Sequence, residues 1–103
     1  MDNKERLYFD TLTELSEALG HSYQNPLSLS LLCLIHGISF EQKGKIFVEF
    51  NSILREYEFY DLKVDLFKKA MVKIVPEARA FSEIVVIGFI KAYAKLLIPE
   101  LYP

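Results

Sequence analysis

Between Pro76 and Pro99 runs the stretch Glu77 to Leu97, which is too long for a strand and too apolar for an ordinary surface helix. At about 100° per residue with Arg79 as zero, Glu83 falls near 40°, Lys91 near 120° and Lys95 near 160°. Ile87 and Ile84 fall inside that same arc, so the polar residues make no clean face. A helix apolar almost all round sits at the centre of a bundle or under a partner. The run Ile84-Val85-Val86-Ile87 has strand propensity, but the length between the two prolines favours one helix over Glu77–Leu97.

The other segments read as shorter helices around it. Tyr8, Leu12, Leu15 and Leu19 form one helical stripe, which predicts a first helix from Lys4 to Leu19 with Gly20 as its left-handed stop. Asn25-Pro26 reads as cap and first residue of a second helix over 26–36, closed by Gly37. Its alternating start, Leu27-Ser28-Leu29-Ser30, also fits a strand, but leucine favours helix. Ser39 to Gln42 is a capping-box pattern opening a third helix that continues to about Tyr57. Ile46/Phe47, Phe50, Ile53/Leu54 and Tyr57 are its expected apolar stripe, with an edge strand over Lys45–Phe50 as the alternative. Gly44 lowers its helix propensity by about 1 kcal/mol relative to Ala; a close crossing would explain it. Asp61 is the expected cap of a fourth helix, with Leu62, Leu66/Phe67, Ala70/Met71 and Ile74 inward and Pro76 as its stop.

The fold expected is therefore all-α: a compact bundle of about five helices with the hydrophobic C-terminal helix near its centre. One domain spans residues 1–103, since that length rarely supports two cores. Eight Phe and six Tyr exclude a disordered chain, and a single cysteine excludes an internal disulfide framework. The first 26 residues hold no apolar run like that of a signal peptide, and Cys33 stands alone, so a cytoplasmic protein is expected. No stretch of 18 continuous apolar residues suggests a membrane span.

The chemistry-bearing residues do not form a coherent catalytic set. Cys33 and His36 share a helical face but lack a third group to orient them, and with His21 they fall short of a zinc site. No glycine-rich phosphate loop is present. The protein is read as a non-enzyme without cofactor or metal. It is expected to be a small interaction or regulatory protein that binds or occludes a protein partner, with a homodimer as the simplest version. Residues 1–61 carry ten acids and five bases, and residues 62–103 four acids and seven bases. Within the acidic part, Glu56-Tyr57-Glu58-Phe59-Tyr60-Asp61 combines charge with rigid aromatic area, so Glu56, Glu58, Tyr60 and Asp61 are the candidate partner-binding residues. The alternative is a nucleic-acid-associated regulator using the basic helix face of Lys68, Lys69 and Lys73. That composition is far from the strongly basic one of a non-specific nucleic-acid binder.

Overall fold

The structure is a computed structural model, and it describes residues 3–18, 20, 22 and 28–98. Those residues form five α-helices: α1 (Asn3–Ala18), α2 (Leu29–Ile35), α3 (Phe40–Glu56), α4 (Val64–Ile74) and α5 (Glu83–Leu97). Two short 3₁₀ turns, Phe59–Asp61 and Pro76–Ala80, flank α4. The all-α bundle is as expected, with α5 packed against α2, α3 and α4. The side chains of Tyr8, Leu12, Leu15 and Leu19, and the Asn25-Pro26 pair, lie outside the described residues. Gly20 has a φ of 94°, the left-handed conformation expected of the residue that stops α1.

Helix α2 begins three residues later than the expected 26–36. Ser28 is extended, and its hydroxyl accepts the Leu31 N–H at 3.2 Å, so the cap is Ser28. At the other end Gly37 takes a φ of 71°, which a side chain would resist. Its N–H donates to Leu34 O, and the Ile38 N–H donates to Cys33 O at 2.8 Å. This paired closure uses two of the last carbonyls and turns Ile38 into the core beside Cys33.

The capping box of α3 is present in full. Ser39 Oγ accepts the Gln42 N–H at 3.1 Å, and Gln42 Oε1 accepts the Ser39 N–H at 3.0 Å. Residues 45–50 are helical, so the edge-strand alternative falls. Ile46 and Phe50 are buried as expected, whereas Phe47 and Tyr57 stand largely outside the core. Among the described residues nothing crosses close to Gly44, since a methyl group added there would meet nothing within 4 Å.

Two helix starts are also corrected. Asp61 does not cap α4; its N–H donates to Glu58 O and ends the 3₁₀ turn, and Lys63 occupies the cap position with no side-chain bond. Starting at Val64 places Phe67, Ala70 and Met71 on the buried face. The expected helix over Glu77–Leu97 is divided. Pro76 opens a 3₁₀ turn anchored by the buried Val75 and Ala78, and α5 proper starts after Ser82, whose hydroxyl accepts the Val85 N–H. Phe81, extended at the break, stacks its ring on Phe89 at 5.9 Å. Its carbonyl accepts a bond from Lys68 Nζ at 2.9 Å, which compensates the interrupted helix ladder.

The core joins the elements through large side chains. Leu32, Ile46, Phe50, Met71, Val86, Phe89 and Tyr93 are fully buried. Phe50 meets Phe67 and Tyr93 edge-on, each at 4.9 Å between ring centres. Helix α5 is nonetheless not covered all round: Ile84 and Leu96 are exposed.

His36 ends α2 with its ring against Phe81 and Phe89, at 5.0 and 5.5 Å between centroids. Burial lowers its pKa below the ordinary 6.5. The unfolded chain therefore takes up this proton first as the pH falls. The stabilisation is complete above about pH 6.5 and is lost through the window below it, down to the folded pKa. Denaturant midpoints measured between about pH 7.5 and pH 5.5 should fall, and His36→Gln should flatten that slope. An unchanged slope in the variant would assign the pH dependence elsewhere.

Candidate interaction surface

The corner from the end of α3 to the start of α4 places Glu56, Glu58, Tyr60 and Asp61 together on the outside, all exposed. The fold does this because α3 stops at Tyr57 in an extended conformation and a short 3₁₀ turn follows before α4. Tyr60 is 81% exposed, so its ring is available as contact area. Glu56 Oε1 accepts the Ser52 hydroxyl at 3.3 Å. Among the described residues Glu58 and Asp61 have no ion-pair partner.

Directly after this corner the chain enters the lining of an apolar groove of about 300 Å³. Leu54 from α3, Leu62 before α4, Phe67 from α4 and Ile90 and Leu97 from α5 line it, and among the described residues Lys63 is the charged one in its lining. Leu62 and Lys63 follow Asp61 directly in the chain and so link the corner to the groove, whose lining does not include the four corner residues themselves. The groove is not evident in the sequence, because its walls come from three helices whose ends meet only in the fold.

The basic residues are placed differently from one another. Lys68 is half-buried and bonded to the Phe81 carbonyl. Lys69 is exposed and shares a shallow depression with Asp65, Lys68, Val72 and Arg79. Lys73 points to α3, where its Nζ lies 3.2 Å from Glu49. Residues 68 and 73 are five apart, about 140° round a helix, which is why they do not share a face.

Cys33 and His36 are both on the α2 side of the core, in different surroundings. The thiol is buried beside Tyr93, and burial pushes its pKa up to about 11 against the smaller opposing effects of the Lys43 charge and the Tyr93 hydrogen bond. The Tyr93 hydroxyl donates to Lys43 O at 2.8 Å, and burial raises its pKa as well. A protonated, enclosed thiol is a poor nucleophile at neutral pH. Among the described residues no three His, Cys, Asp or Glu side chains come together as metal ligands would. No described helix is long and apolar enough to cross a membrane.

In native buffer Cys33 should react with a thiol reagent only as fast as the chain opens, and labelling should accelerate with denaturant in step with unfolding. Stoichiometric labelling within the mixing time would contradict the enclosed thiol. No family model matches the chain, and comparison with curated proteins and with solved structures likewise finds no match.

Proposed function

We propose that the protein is a non-catalytic interaction module that binds, and thereby occludes or regulates, a protein partner through the corner of Glu56, Glu58, Tyr60 and Asp61. One observation carries this reading: two carboxylates with no ion-pair partner among the described residues and an exposed tyrosine lie at a corner whose next residues in the chain, Leu62 and Lys63, line an apolar groove. Interfaces of this kind place an apolar anchor in a pocket and charges at the rim, where they guide encounter and select partners. The fitting partner carries a basic segment with one or two large apolar side chains to enter the groove. Binding needs no chemical step, and the enclosed Cys33 and the dispersed acids supply none.

The nucleic-acid alternative has less behind it. Of its three lysines, Lys68 is engaged with a backbone carbonyl and Lys73 with Glu49, which leaves Lys69 beside Arg79 as a small basic site.

The test is quantitative affinity capture from the native cell with the wild-type chain and with Glu56→Lys/Glu58→Lys/Asp61→Lys in parallel, followed by titration of the purified partner. All three positions are exposed, so the variant should keep its fold. The expected result is a partner retained by wild type and bound roughly tenfold or more weakly by the variant. A partner whose dissociation constant is unchanged would remove the corner as the binding surface.

A further inference from the structure

Helix α3 carries a second apolar seam that the core does not use. Phe40, Gly44 and Phe47 are spaced i, i+4, i+7 and fall within about 60° of each other, roughly 100° round the helix from the buried Ile46 and Phe50. Phe40 is 87% exposed, Phe47 37%, and Leu96 of α5 beside them 56%. Between these side chains lies a groove of about 220 Å³, with Gly44 and Tyr93 in its lining. An aromatic knob and an apolar hole therefore lie on one face of one chain.

Gly44 is the informative residue. Glycine inside a helix lowers stability by about 1 kcal/mol relative to alanine. Among the described residues nothing requires it, because the space where its side chain would stand is open. A helix approaching from outside would require it, since glycine lets two backbones cross closely.

We infer that α3 pairs with α3 of a second copy of this chain, antiparallel and crossing at Gly44. A two-fold contact must be complementary to itself. In this crossing Phe40 of each copy meets Phe47 of the other and enters the groove beside Gly44. An apolar cavity of about 150 Å³ already holds a benzene ring, so the groove accommodates a phenyl group. Glu41 and Lys45 are paired within α3 at 3.2 Å and lie roughly 90–130° round the helix from the seam, so they leave it apolar. Lys43 is held at the rim, bonded to Ser30 Oγ at 2.8 Å and lying over the Phe40 ring.

The area is sufficient. A phenylalanine side chain presents roughly 150–250 Å², so Phe40, Phe47 and Leu96 together offer roughly 350 Å² per copy and roughly 700 Å² per pair. A standard interface buries about 1,200–2,000 Å², a little over half of it non-polar. The seam meets the lower end of that need. It lies on a different face from the acidic corner and stands without that proposal.

The test is the mass of the full chain by light scattering and sedimentation at high micromolar concentration. Wild type should show twice the chain mass of 12.0 kDa. Phe40→Glu and Gly44→Leu, both in open positions, should halve the measured mass to that of one chain while keeping the helical circular dichroism. Glu56→Lys/Glu58→Lys/Asp61→Lys should remain a dimer, which separates this inference from the corner proposal. Gly44→Cys should form a disulfide-linked dimer on mild oxidation, and Glu77→Cys should not. A wild type with the mass of one chain, or a dimer that both seam variants leave intact, would overturn the inference.

Discussion

The fold depends on the placement of one buried tyrosine. Tyr93 lies in α5 with its ring fully enclosed and edge-on to Phe50 of α3, and its hydroxyl donates to Lys43 O at 2.8 Å. A buried hydroxyl without a partner is costly, and a helix carbonyl has a lone pair to spare for it. The bond therefore locks α5 against one particular turn of α3. Phe50 passes the constraint on to α4 through Phe67, and Cys33 brings α2 against the same tyrosine. Three neighbours of α5 are thus referred to one side chain that joins apolar bulk to a directional bond.

Much of the polar chemistry elsewhere serves to end helices. Ser28, Ser39 and Ser82 cap three of them, and Gly37 closes α2. Lys68 satisfies the carbonyl exposed where the chain breaks before α5. Lys68 and His36 thus both have contacts within the fold, Lys68 to the Phe81 carbonyl and His36 to the Phe81 and Phe89 rings. Glu58, Tyr60 and Asp61 are left exposed at the corner after α3. Phe40 and Phe47 on α3 and Leu96 on α5 are among the large apolar side chains left exposed, with Leu34, Val48 and Ile84 elsewhere.

Signals confined to a few neighbouring residues were legible in the sequence. The Ser39–Gln42 capping box and the stops at Gly20 and Gly37 depend on local hydrogen bonding and on φ, so pattern alone locates them. The inward residues of α4 followed from period. Features set by competition between distant residues were not legible. The division of the segment after Pro76 depends on the Phe81 ring reaching Phe89 and on Lys68 reaching the Phe81 carbonyl, thirteen residues away in the chain. Phe47 and Ile46 are equivalent as neighbouring apolar residues, and only the direction of α5 decides that Ile46 goes in and Phe47 stays out. The candidate acids were readable as a charged, aromatic run. The groove that gives them a partner-sized neighbour was not, because Leu54, Leu62 and Ile90 meet only after the helices have packed.

The most direct test of this account is Tyr93→Phe, which removes the hydroxyl and keeps the ring. Equilibrium denaturation should show a loss of about 1–2 kcal/mol with the helical signal unchanged, as expected when a buried bond is deleted and a carbonyl keeps its helical partner. A variant as stable as wild type, or more stable, would contradict the view that this bond, and not apolar burial alone, fixes α5 on α3.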